Sequence, residues 1–252
     1  MKLSIVIPAH NEAGCIEKTA LRLLTEFNRH GIGSEIVIVD DHSTDGTDVI
    51  ISRLRDTYQE IKFLRNTWPN GFGYAVRTGL NSFSGDAVAI VMADGSDDPK
   101  DVVNFYNIMK SGYDCVFGSR FTAGGKAYDY PKFKYLVNRM ANSFIRMVFG
   151  LQYNDVTNAF KMYRRETIDG LKPFLSNHYN LTVELPLKAI TRGYSYTVIP
   201  NQWYNREVGE SKLRIKEMGS RYLFIVLYCF IEKWLSVGDY RKPQPQTEEP
   251  HR

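Results

Sequence analysis

The chain has 252 residues, of which 43% are apolar and 24% charged, with a formal net charge of +4 and three cysteines. This composition excludes a disordered chain and a disulfide scaffold, and the charge is too mild to indicate a nucleic-acid binder. It suits a surface that meets phosphates or anionic lipid.

From the N-terminus, KLSIVIPA reads directly as a strand, without the layout of a signal peptide. Apolar, β-rich runs follow at Leu3–Ile7, Glu35–Val39, Ile61–Leu64, Ala87–Met92 and Asp114–Phe117. Helical stretches open between them near Glu12, Asp45, Gly73 and Asp98, the last with Pro99 at a first-turn position. Strands alternating with helices predict an α/β fold, a mostly parallel sheet flanked by helices. After Arg120 comes a loop-like segment, TAGGKAYDYPKFK, and then a helix whose apolar residues Leu136, Met140, Phe144, Met147 and Val148 recur at helical spacing. This helix reads either as a plain core helix or as an interface helix. A helix near Asn180, a strand over Tyr194–Ile199 and a final helix over Glu217–Leu235 complete the pattern.

No run reaches the roughly 20 apolar residues of a spanning helix. The nearest, Tyr222 to Ile231, meets Glu232 and Lys233. Its aromatic residues between Arg221 and Lys233 suit an amphipathic helix at a bilayer interface, or a homo-oligomer contact on the same surface. Cys15, Cys115 and Cys229 lack metal-ligand spacing, as in a reducing, cytosolic compartment. The expected organisation is a catalytic domain over 1–214, a membrane-proximal or interface helix over 215–240, and a Pro-rich, disordered tail over 241–252.

In open parallel sheets, ligands bind beyond the carboxyl ends of the strands. Those ends here are polar: Pro8-Ala9-His10-Asn11-Glu12, then Asp40-Asp41-His42-Ser43, then Ala93-Asp94-Gly95-Ser96-Asp97-Asp98, then Gly118-Ser119-Arg120. Asp45 reads as a helix cap. The run Gly71-Phe72-Gly73 places Val76 where a dinucleotide loop needs its third glycine, so close packing or backbone approach to a ligand explains it better.

IVIPAHNE, IVIVDDHSTDGT, GFGYAVRTGL, VMADGSDDP, GSRF, NDVTNAF and NREVGESKL follow one another over about residues 3–214. This ordered set resembles the family 2 glycosyltransferases, in particular the dolichyl-phosphate mannose synthase group. The resemblance implies a Rossmann-like nucleotide-sugar transferase fold and inverting hexose transfer to a polyprenyl (dolichyl or undecaprenyl) phosphate on the cytoplasmic face of a membrane. It implies that Pro8, Ala9, His10, Glu12, Ile38 and Asp40 line the nucleoside. Ala93 and Asp94 would meet the diphosphate, with Mg2+ or Mn2+ on Asp94. Arg120, Lys134, Arg206 and Lys212 would surround the phosphates of donor and acceptor, and Asp94, Arg120, Arg206 and Lys212 would serve catalysis. The family's Asp-Ala-Asp is Met92-Ala93-Asp94 here, and Ser96 stands where Gln is frequent. Asp97, three residues on, could fold back as the second metal carboxylate.

Two rivals stand beside this reading. Transfer to a saccharide hydroxyl in polysaccharide assembly would need a general base, for which Asp155 or Glu184 are the candidates; Glu184 could equally pair with Lys188 at i+4. A non-catalytic nucleotide-sugar-binding protein would follow if Met92 abolished turnover. The Gly209-Glu210-Ser211 turn between Arg206 and Lys212 suggests a loop that closes over diphosphate.

Overall fold

The computed structural model describes residues 1–205 and 215–242, the side chains of 215–218 excepted. The chain runs β1 (Leu3–Ala9), α1 (Ile16–Arg29), β2 (Ser34–Asp40), α2 (Thr47–Thr57), β3 (Ile61–Arg65), α3 (Phe72–Ser82), β4 (Ala87–Ile90), α4 (Pro99–Lys110) and β5 (Cys115–Ser119). It continues as β6 (Lys126–Tyr128), α5 (Lys132–Phe149), β7 (Lys161–Arg164), α6 (Arg165–Gly170), α7 (Leu181–Thr191), β8 (Tyr196–Pro200), β9 (Gln202–Tyr204) and α8 (Ile215–Leu235).

The main sheet has seven strands in the order β3-β2-β1-β4-β7-β5-β8, all parallel except β7. It is apolar on both faces because helices cover both. Leu3, Ile5, Ile7 and Ala9 of β1 join a core with α1, α2 and α4, while Val6 joins the opposite core with α3, α5, α7 and α8. A side chain on Gly79 of α3 would collide with the methyl groups of Val6, so glycine there sets the helix-to-sheet distance.

The strand order reverses at β1 and β4, and the reversal opens a crevice at their carboxyl ends. β7 was absent from the sequence reading. Its KMYR is short and charged at both ends, yet it inserts antiparallel between β4 and β5. Lys161 survives burial there because its Nζ donates to the carbonyls of Val156 (3.0 Å), Thr182 (3.1 Å) and Asn158. Burial pushes its pKa down to about 7.

Glu35 ties the amino edge of the sheet. Its carboxylate accepts from Lys62 Nζ (2.7 Å), Ser4 Oγ (2.6 Å) and Ser84 Oγ (2.6 Å). Burial opposes ionisation, but these donors outweigh it and hold the group well below its ordinary 4.5. A depressed carboxylate stabilises the fold above its unfolded pKa and ceases to do so as pH falls through the acid range. Wild type should therefore lose more stability than Glu35→Gln between about pH 6 and about pH 3, measured by urea unfolding at both pH values.

The helical stripe of α5 faces the other way from a core helix. Asn142, Ile145 and Phe149 are buried, whereas Leu136, Met140, Phe144 and Met147 are exposed and only Val148 packs partly inward. Periodicity gives the stripe but not the medium it faces. α8 is apolar on both sides: Ile225, Val226 and Cys229 are buried, and Phe224, Leu227, Ile231 and Trp234 are exposed. The expected amphipathic pattern is therefore not what α8 presents.

α8 is fastened to α7 by Arg192, whose Nε and terminal nitrogen reach the two Glu232 oxygens at 2.7 and 2.9 Å. Beyond it, Lys242 Nζ meets both Asp114 oxygens at 2.9 and 2.8 Å. The rest of the tail, 243–252, lies outside the described residues. No helix among the described residues is long and apolar enough to cross a membrane.

Candidate active site

After β4 the chain turns sharply. Gly95 has φ +72°, a left-handed conformation that glycine adopts without strain. Asp94 accepts from the Ser96 N–H at 3.1 Å, and Asp97 folds back to accept from the Met92 N–H at 2.9 Å. Asp98 caps α4 through the Lys100 N–H (3.0 Å), with Pro99 opening the helix. The turn thus sends Asp97 inward and leaves Asp94 half-buried at the strand end. Burial, with repulsion from Asp94 and Asp101, raises the Asp97 pKa to about 7 against the Met92 N–H bond and the positive field of Arg120.

Across the crevice, Pro8 and Ala9 are buried and register with Val39 and Asp40. His10 Nδ1 lies 2.6 Å from the Asp41 carbonyl and 3.1 Å from Asn70 Nδ2. The Glu12 N–H donates to Thr47 Oγ1 (2.8 Å), and its carbonyl starts α1.

Asp40 and Asp41 have different tasks. Asp40 accepts from the Ser43 N–H at the rim (3.2 Å). Asp41 turns inward and holds the loop after β3 through Asn66 Nδ2 (2.6 Å) and the Gly71 N–H (2.9 Å). Asp45 stands one residue before Gly46, the N-cap of α2, and ties the start of that helix by accepting from the Thr47 and Ala13 N–H groups at 3.0 and 3.1 Å. Ile38 is wholly inside the core, so its side chain offers no surface to a ligand. The glycines of Gly71-Phe72-Gly73 serve packing: side chains there would meet the Asn177 carbonyl oxygen at 2.7 Å and the His178 nitrogen at 2.6 Å.

The cations differ most from expectation. Arg120, at the end of β5, is buried. Its Nε and terminal nitrogen each donate to Asp155 at 2.8 Å, and its main-chain N–H adds a third bond at 3.0 Å. Phe121 and Tyr130 flank the guanidinium at 5.3 and 5.4 Å. Arg120 is therefore committed to Asp155 and acts on the carboxylate turn through its field rather than as an uncommitted phosphate ligand. Lys134 lies apart, in a groove of about 260 Å3 between α5 and α8 with Tyr130, Asn138, Phe144, Tyr222 and Leu223. Tyr130 links that groove to Arg120. Arg206 and Lys212 lie outside the described residues.

A cleft of about 380 Å3 opens beside Asp94, lined also by Cys15, Lys18, Arg22, Tyr204 and Asn205. The sequence reading missed this wall. Its signal was the spacing of Cys15, Lys18 and Arg22 along one stripe of α1.

Among the described residues no group of three or more His, Cys, Asp or Glu side chains is gathered to hold a metal. Asp94 and Asp97 nevertheless fit a hard divalent cation of the Mg2+ type, which commonly takes one or two carboxylates and completes its shell with water and substrate phosphates.

Comparison with known proteins agrees with the fold. Glucosyl-3-phosphoglycerate synthase from Mycobacterium tuberculosis superposes with a TM-score of 0.65 at 18% identity, covering 92% of this chain and 79% of that one. The same enzyme in complex with Mg2+ and UDP gives 0.65 at 17% identity, with the same coverage. These likenesses establish the α/β fold. The Glycosyl transferase family 2 model matches residues 4–171, and the chain belongs to that family.

Two relatives extend the similarity beyond the matched segment. The polyprenol monophosphomannose synthase of Mycolicibacterium smegmatis is 28% identical over 216 residues, 83% of this chain and 80% of the relative. The dolichol-phosphate mannosyltransferase of Pyrococcus furiosus is 30% identical over 221 residues, 86% of this chain. The chain spans 60% of the length of that archaeal relative.

Proposed function

We propose that this chain transfers a hexose, mannose by analogy with both relatives, from a nucleoside diphosphate sugar to a polyprenyl phosphate at a membrane surface, with inversion at the anomeric carbon. The observation that carries the reading is a juxtaposition. A carboxylate turn, Asp94 and Asp97, lies near Arg120, and Tyr130 leads from Arg120 into an apolar groove with Lys134 on its wall. That is the arrangement needed to bring a donor diphosphate to an anionic headgroup on an apolar chain.

Pro8, Ala9, His10, Glu12 and Asp40 form the nucleoside wall, backed by Ile38, and Ala93 and Asp94 face the diphosphate. Mg2+ or Mn2+ on Asp94 and Asp97 would supply neutralisation of the charge that develops on the departing diphosphate. Lys134 draws the acceptor phosphate to the groove, and Arg206 and Lys212 are assigned to the phosphates from the segment that follows Asn205. The lipid phosphate is already an anion, so it attacks the anomeric carbon without a general base. Its new bond forms on the face opposite the leaving diphosphate, and configuration inverts. Tyr130, Phe144 and Leu223 seat the first part of the prenyl chain away from water.

A hydroxyl acceptor is disfavoured because both candidate bases are committed. Asp155 is paired with Arg120. Glu184 is fully buried and accepts from the Leu175 and Ser176 N–H groups at 2.7 Å each and from Lys188 at 2.6 Å.

Exposed apolar side chains on α5 and α8 favour membrane attachment on the cytoplasmic face. Phe133 and Met147 are 68% and 76% exposed, and Phe224 and Trp234 are 59% and 63% exposed. Replacing these four by Ser should lower binding to anionic vesicles at least about tenfold in a sedimentation assay while leaving the thermal midpoint nearly unchanged. Unchanged vesicle binding, with loss of a dimer seen by light scattering, would assign the face to a homo-oligomer instead.

The function is tested by presenting a panel of nucleoside diphosphate sugars and a polyprenyl phosphate, with Mg2+ or Mn2+, and extracting the lipid. A labelled sugar in the organic phase is expected with one donor. Donor binding without turnover on any acceptor would favour a non-catalytic binding protein, and product only on short glycans would favour polysaccharide assembly.

A further inference from the structure

The cleft beside Asp94 has a cationic wall that the roles assigned so far do not use. Cys15, just before α1, and Lys18 and Arg22 in its first two turns lie one above another at i, i+3 and i+7, and all three line it. Asp94, Gly95, Tyr204 and Asn205 line the rest of it. The Arg22 guanidinium lies near the carboxylate turn: a methyl group added to Gly95 would lie 3.9 Å from one of its terminal nitrogens. Its charge also eases ionisation of Tyr204 across the cleft, although burial dominates that phenol and raises its pKa.

Exposed lysines and arginines are most often simply solvated. These two instead flank a concavity of about 380 Å3 that also carries Asp94, the carboxylate best placed for a divalent cation. A ligand that satisfies both walls must present oxygens to a metal on one side and to ammonium and guanidinium groups on the other. Two linked phosphates can meet the metal with one group and the cations with the other, whereas a neutral sugar answers neither charge.

We infer that Lys18 and Arg22 form the subsite that grips the donor's diphosphate against Asp94, and that they select nucleoside diphosphate over nucleoside monophosphate carriers. This inference rests on the nucleotide-sugar reading above. It adds a recognition wall from α1 to a crevice otherwise built at the strand ends. It also places the departing nucleoside diphosphate beside Cys15, which is half-exposed while Cys115 and Cys229 are buried.

The test uses the full chain with Mn2+ and measures binding of UDP, GDP, UMP and GMP by calorimetry. Lys18→Met/Arg22→Met should weaken the preferred diphosphate at least about tenfold and its monophosphate much less. The charge-matched variant Arg55→Met/Lys110→Met, on α2 and α4, should bind both as wild type does, which separates a local grip from the overall field. Independently, the preferred diphosphate should slow modification of Cys15 by a thiol reagent in wild type, and the nucleoside alone should not. Wild-type diphosphate binding that is unchanged in the α1 variant, with Cys15 equally reactive throughout, would overturn the subsite and leave the donor reading standing. If wild type binds none of the four nucleotides, the donor reading falls and the subsite falls with it.

Discussion

Asp94→Asn is expected to reduce metal-dependent sugar transfer about a hundred- to a thousandfold, with the fold intact. The substitution removes the charge that holds a divalent ion but keeps an oxygen for the Ser96 N–H. Because Asp94 is half-buried at the edge of the crevice rather than inside either core, its loss costs little stability. Rates measured over a Mn2+ titration, beside thermal melting of the same samples, check both halves. Unchanged turnover would remove Asp94 from the mechanism. Lost turnover with a collapsed melting point would mean that the residue holds the turn together.

Asp155→Ala should destabilise the protein by about 3–5 kcal/mol, because it strands the Arg120 guanidinium in a site that water does not reach. The pair is 7% and 0% exposed, and Asp155 satisfies three Arg120 donors, so no solvent can replace it. Removing both charges with Arg120→Met/Asp155→Leu should recover most of that loss in urea unfolding, since desolvation and attraction disappear together. Activity should not return in the double variant if the field of Arg120 helps to tune the carboxylate turn. A double variant no more stable than Asp155→Ala would show that the stability came from packing against Phe121 and Tyr130 rather than from the ion pair.

The strands that build the crevice were legible because each is an apolar run covered on both faces, as in Ile5-Val6-Ile7 and Ile36-Val37-Ile38. Their polar ends were legible for the same reason: chemistry at an open sheet collects where the runs stop. The return of Asp97 could also be read, since three residues and a glycine suffice for a turn. Partners distant in the chain could not. Nothing local in GSRF announces that Arg120 pairs with an aspartate 35 residues later, and nothing in KMYR announces a central strand. The sense of α5 was equally hidden, because a stripe of Leu, Met and Phe has the same period whether it faces a core or a bilayer. Lys18 and Arg22 are not legible as site residues, because exposed cations on a helix are ordinarily solvated and nothing local shows that α1 borders the carboxylate turn.

The antiparallel strand has a consequence for how the protein is made. β7 fills the space between β4 and β5 but is synthesised after both. While the ribosome delivers the intervening segment, β4 keeps one side with unpaired peptide groups and β5 has no neighbour to dock on. The nascent chain thus carries an open sheet edge until residues 161–164 emerge and are threaded into place. Chains stalled or cleaved before that point would present a templating edge to one another, so premature termination in this interval should yield aggregates rather than a stable amino-terminal half.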